Sequence, residues 1–159
     1  ATRVGHAIGG GDKTRVSMAI RCGASITLLV GLACMAILLS APGLIVAAYT
    51  DDAAIHDMAI TLIRLAALFI AVDAVQVTTT FSLRAYKDTR FPFIVLCSAY
   101  WLVTLPRGYT LGFIVAQDPL EGTMGFWKSM IAGIALTAVV LGFRLLKTLQ
   151  KPLPVGQHL

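Results

Sequence analysis

Leu62 to Leu83 reads LIRLAALFIAVDAVQVTTTFSL, and its reading decides what kind of molecule this is. The stretch is long and apolar enough to cross a bilayer as a helix. It nevertheless carries one carboxylate, Asp73, near its centre. Placing a charged Asp in hydrocarbon costs roughly 3 kcal/mol on insertion scales. Such a residue either faces a bundle interior or wet cavity, on an ion, proton or substrate path, or serves as hydrogen-bonded glue between helices.

Working outward, the rest of the chain has the same solvent preference. Hydrophobic residues make up 57% of its 159 residues, charged residues 13%, and the mean hydropathy is +0.81. A soluble domain is nearer a quarter charged, so the expected class is all-α: a polytopic membrane helix bundle. The spans are expected at about 22–49, 54–84, 93–116 and 124–143, with 1–21 as a polar segment before the first. Residues 22–151 then form the four-helix transmembrane part, and 152–159 a tail.

Local signals set the joints. Asp12 is placed to cap the first long helix. Ala41-Pro42-Gly43 should interrupt that helix, with Tyr49 at headgroup level. Pro92 suits the first turn of the third span, and Pro106 with Gly108 should kink it. Trp127 reads as an interfacial anchor, with Lys128 close enough to the end of its span to snorkel.

The net charge of +5 does not point to nucleic acid, because the basic residues cluster at the ends of apolar runs. Ten Lys and Arg lie in the first segment, the Leu83–Phe93 turn and the C-terminal end. The loops Thr50–Asp57 and Gln117–Gly122 hold five of the eight acids and no Lys or Arg. The positive-inside rule then puts both ends and the Arg84–Arg90 turn in the cytoplasm.

Several site chemistries fail. Gly9, Gly10 and Gly11 precede Asp12-Lys13-Thr14, but the register and helical context are wrong for a phosphate loop. Cys22, Cys34 and Cys97 are too far apart for a framework, and Cys34 and Cys97 read as small core residues. His6, His56 and His158 share no ligand spacing with them. No enzyme constellation and no cofactor is expected.

Around Asp73, helical spacing places Phe69, Gln76, Val77 and Thr80 on its side of the helix. Gln76 and Thr80 offer neutral oxygens near the carboxylate, or pack polar groups against another helix. Arg64 is nine residues away, about half a turn off and ~13 Å along the axis, too far for an intrahelical ion pair. Arg107 is unusual at its depth and either snorkels outward or lines a cavity. A carboxylate in a low-dielectric site can exchange a proton, or hold Na⁺ with oxygen neighbours.

The segments RVGHAIGGGD, LIRLAALFIAVDAVQV, LRAYKDTRFP and YWLVTLPRGYTLGF, followed by Gly125-Phe126-Trp127, resemble the C-terminal lobe of the MATE (multidrug and toxic compound extrusion) transporters, in the NorM-like branch. Four stretches in register make the resemblance specific, and it extends over nearly the whole chain. It implies a twelve-helix antiporter of two six-helix lobes that expels cationic or amphipathic drugs in exchange for Na⁺ or H⁺. The four spans would be helices nine to twelve of a bacterial inner-membrane protein, with the preceding eight helices as their partner. Asp73 would be the cation-coupling carboxylate and, in a sodium-coupled member, the Na⁺ ligand. Phe69, Gln76, Thr80 and Arg107 are the candidate cavity or cation-site residues. Arg107 and Lys128 depart from the neutral and apolar residues expected there, which bears on substrate and not on family.

Because the chain starts without Met, it reads as a partial sequence. Two other readings stand beside the antiporter: a self-contained four-helix small multidrug transporter that dimerises around its carboxylate, and a non-transporting membrane fragment.

Overall fold

A computed structural model describes residues 2–150, and these are almost wholly helical. The elements are α1 (Thr2–Gly9), α2 (Lys13–Ser40), α3 (Pro42–Ala47), α4 (Ala53–Ala85), α5 (Arg90–Ile114) and α6 (Pro119–Gln150). Four segments are long and apolar enough to span a membrane: Thr14–Ser40, Ile55–Ala85, Arg90–Ile114 and Pro119–Gln150. The expected tail, 152–159, lies outside the described residues.

The joints follow from local chemistry. Gly11 adopts φ 71°, a left-handed conformation that favours glycine, and so turns the chain out of α1. Asp12 caps α2, its carboxylate accepting the backbone N–H of Thr14 at 2.9 Å and of Arg15 at 3.1 Å. Lys13–Arg21, grouped by composition with the polar segment, are the first turns of this helix. α2 stops at Ser40 and does not run on to Tyr49, because Ala41, at φ −149° and ψ 59° before Pro42, leaves the helical region. Pro42 then begins α3, where its missing N–H costs nothing.

α4 ends in a Schellman turn. The Asp88 N–H donates to the Leu83 carbonyl at 3.1 Å and the Lys87 N–H to that of Arg84 at 3.0 Å. Lys87 takes φ 61° at the position glycine usually fills. At the start of α6, Asp118 accepts the Glu121 N–H at 2.7 Å, and Glu121 accepts the Gln117 N–H at 2.9 Å. The first bond satisfies one orphan donor of the helix start, and the second ties the residue before the cap to the first turn.

In α5 the expected kink region takes a definite form. The α-helix over Leu105–Tyr109 is flanked by π-helical turns at Ala99–Thr104 and Thr110–Ile114. Pro106 has no N–H to continue the ladder. The widened i→i−5 pattern re-pairs its surroundings: Leu105 N–H donates to Tyr100, and Val115 N–H to Thr110 at 2.9 Å.

α4 is the central helix and packs against α1, α2, α3 and α6, while α5 leans on α6. Ala74 of α4 sits where a side chain on Gly31 of α2 would have to be, with its Cβ 2.8 Å from that position. Leu83 of α4 and Leu141 of α6 are fully buried. At the basic end, Val4, Val16 and Ile20 form a small core with Tyr86, Leu145 and Leu149 against it. Burial there pushes the Tyr86 phenol up from its ordinary value.

Only 6% of the apolar window of α2 is buried, against 33% for α6, so α2 turns most of its surface outward. Ile26, Leu29 and Ile37 are all exposed on it, and Cys34, read from the sequence as a core residue, is exposed as well. Such a surface is stable against lipid or further helices and not against water.

An ion pair ties the basic turn to the bundle. Arg144 Nε donates to Asp88 Oδ2 at 2.8 Å while its guanidinium lies 4.7 Å from the Phe91 ring centroid. The pair is partly exposed, so its contribution is roughly 1 kcal/mol. In a double-mutant cycle with Asp88→Asn and Arg144→Gln, followed by detergent denaturation, we expect a coupling of that size; additive effects would mean the contact contributes nothing.

Candidate functional site

The Asp73 side of α4 is a stripe at helical spacing: Phe69, Asp73, Gln76, Thr80 and Leu83. Its outer part meets α6, where the Phe69 and Trp127 rings stack edge to face with centroids 6.1 Å apart. One turn further along α4 stands Asp73, half-buried. Among the described residues, Asp73 has no hydrogen bond and no ion pair.

Gln76 and Thr80 are both buried and hold each other. The Thr80 hydroxyl donates to the Gln76 backbone carbonyl at 2.9 Å and accepts from Gln76 Nε2 at 3.3 Å. This pairing uses the Thr80 proton and one of its two lone pairs, whereas the Gln76 side-chain oxygen keeps both of its acceptor positions. A hard cation at Asp73 would therefore draw on the carboxylate and that amide oxygen before the Thr80 hydroxyl.

The structure brings Phe69, Asp73, Gln76 and Thr80 onto one stripe, and among the described residues no hydrogen bond, ion pair or ring contact joins them to Arg107. That side chain is exposed on α5, while its neighbour Gly108 is the residue turned toward α6, within reach of Phe126. Arg64 and Lys128 are exposed too. Sequence reasoning took Trp127 for an interfacial anchor and missed its contact with Phe69. The signal available was its place about two turns inside a helix that starts at Pro119.

A second feature missed is the seam between α5 and α6. Thr104, Gly108 and Gly112 on one helix face Gly122, Gly125, Ser129 and Gly133 on the other. The Ser129 hydroxyl, buried, donates to the Thr104 carbonyl at 2.8 Å. Small residues with a hydroxyl bridge allow helices to approach closely in lipid, where apolar side chains gain little by leaving the solvent.

A polytopic helical membrane protein with an intramembrane carboxylate that no described residue pairs is thus the class that fold and site define. The MatE family model matches residues 1–110. The multidrug resistance protein NorM of Aliivibrio fischeri is 38% identical over 152 residues, covering 94% of this chain and 33% of the relative. MdtK of Edwardsiella ictaluri is 37% identical over 145 residues, covering 90% and 31%. PmpM of Pseudomonas aeruginosa is 35% identical over 151 residues, covering 94% and 31%. The chain belongs to the MatE family, in its NorM-like branch, whose members are membrane transporters and not enzymes. It spans about a third of the length of the curated relatives it matches.

Proposed function

We propose that this chain is part of a multidrug efflux antiporter that expels cationic or amphipathic compounds in exchange for Na⁺ or H⁺, with Asp73 as the coupling carboxylate. The observation that carries the reading is Asp73, which pairs with no described residue, inside the span Ile55–Ala85. A carboxylate that no described residue pairs at such depth is open to a transported cation. Either a proton on the carboxyl or Na⁺ held with the Gln76 amide oxygen would neutralise it. A positively charged drug would then compete with that cation, or be bound in the alternative conformation. Coupling is the difference in cation affinity between the outward- and inward-facing states.

The relatives are named multidrug resistance proteins, which supports drugs as the exported compounds, and the basic ends support an orientation with both ends of the chain in the cytoplasm of a bacterial inner membrane. Further helices, eight in the expected arrangement, would complete the cavity beside Asp73.

The test is efflux of a fluorescent organic cation from cells that make the complete transporter, under separately imposed Na⁺ and pH gradients. One of the two should drive efflux above background; efflux under neither would overturn the proposal. The 159-residue chain alone, reconstituted in vesicles, should show no drug-stimulated cation flux. Flux there would favour the self-contained dimeric transporter instead.

A further inference from the structure

The basic end of the molecule holds two adjoining hollows that share Arg3, Arg15 and Ala19. The smaller, about 480 Å³, is lined by Arg3, His6 and Arg15 with two alanines. The larger, about 830 Å³, runs from the same arginines down between α2 and α4. Its α2 wall is a stripe at helical spacing, with Met18, Cys22, Gly23 and Ile26 among its residues; Val77 and Phe81 of α4 stand opposite. From Arg15 to Ile26 the groove covers about 16 Å of helix.

Among the described residues no acid lines either hollow. Asp12 adjoins them, its carboxylate 3.2 Å from Arg15 Nε. That carboxylate also accepts the cap hydrogen bonds from Thr14 and Arg15, so it is occupied by α2 as well as by the side chain. A guanidinium has five N–H donors, and the contact with Asp12 leaves most of those on Arg15 free. Arg3 has no partner among the described residues.

A basic mouth opening onto an apolar groove that descends along a membrane span has the shape and polarity of one ligand class. The geometry points to an anionic phospholipid, its phosphate between Arg3 and Arg15 and an acyl chain along Met18, Ile26 and Phe81. Basic pockets between spans suit acidic headgroups, and an acyl chain loses no hydrophobic free energy against an exposed apolar wall. The inference concerns a lipid site and stands independently of the transport reading. A further helix of the complete protein is the competing occupant.

The complete protein, purified in detergent and mixed with equal amounts of dioleoyl-phosphatidylglycerol and dioleoyl-phosphatidylcholine, would be examined by native mass spectrometry. Phosphatidylglycerol should be retained preferentially. Each of Arg3→Gln and Arg15→Gln should cut the preference about fivefold, the scale of one basic residue at an anionic surface. Gly23→Phe should cut retention while the variant still folds, because a Cβ there meets nothing within 4 Å and the ring is left to point into the groove. Lys147→Gln, at an exposed basic site on α6, should change nothing. No preference would overturn the inference, as would an equal loss with Lys147→Gln, which means diffuse charge. Insensitivity to Gly23→Phe would also overturn it, since a protein segment or a headgroup alone would then fill the site. Displacement of the lipid by glycerol phosphate at matched concentration would show that no acyl groove is used.

Discussion

Asp73→Asn should reduce gradient-driven efflux by the complete transporter to the background of cells lacking it, while the folded protein accumulates at the normal level or above. Asn matches Asp in size and keeps hydrogen-bonding capacity, but it neither takes up a proton nor carries charge. The two readings of an intramembrane acid separate on stability. If Asp73 were interhelical glue, its removal would weaken the bundle. In the structure it bonds to no described residue, so a neutral side chain removes a burial cost of up to roughly 3 kcal/mol and breaks no hydrogen bond or ion pair to a described residue. Efflux and thermal stability in detergent should therefore move independently. Unchanged transport at normal expression would refute the coupling role; lost transport together with a strongly destabilised protein would assign Asp73 to structure.

Gln76 adds a graded companion to that result. Its side-chain oxygen keeps both of its acceptor positions, while the Thr80 hydroxyl is engaged with Gln76 itself. The local geometry thus ranks the two neutral candidates that helical spacing alone left equal.

The spans were legible in the sequence because hydropathy reports the solvent of a helix directly, whatever its neighbours are. The joints were legible where one residue's covalent chemistry decides them: Asp12 as a cap, Pro42 ending α2, Pro92 in the first turn of α5. The lateral arrangement was not. Trp127 carries the same local signal whether it anchors at an interface or packs on Phe69. Only the placement of α6 beside α4 decides between them. Arg144 and Asp88 stand 56 positions apart, and no local pattern pairs them. The π-helical turns of α5 were expected only as a kink, since Pro106 shows where a ladder fails and not how its neighbours re-pair. The candidate site divides the same way: Asp73 announced itself by its cost in lipid, whereas the partnership of Gln76 with Thr80 needed coordinates.

The small-residue seam between α5 and α6 should be the most sensitive packing surface in the chain. A Cβ on Gly125 would lie 2.8 Å from the Leu111 carbonyl oxygen and 2.9 Å from the Leu111 Cβ. One on Gly122 would lie 2.6 Å from the Gly112 carbonyl oxygen, and one on Gly133 would strike the Thr104 side chain. At Gly122 and Gly125 the obstructing atoms include backbone, which moves only if the helices separate. Overpacking of this kind typically costs about 1–3 kcal/mol per site. Separation would also break the bond from the Ser129 hydroxyl to the Thr104 carbonyl, adding about 1 kcal/mol. Gly125→Leu should therefore lower thermal stability in detergent sharply, and Gly125→Ala by a smaller but measurable amount. Gly142→Ala on the same helix meets nothing within 4 Å and should be neutral or slightly stabilising, since alanine is the better helix former. Helix propensity and close approach thus predict opposite signs at two glycines of one helix. Equal stability changes at Gly125 and Gly142 would mean that α5 and α6 do not meet along this seam.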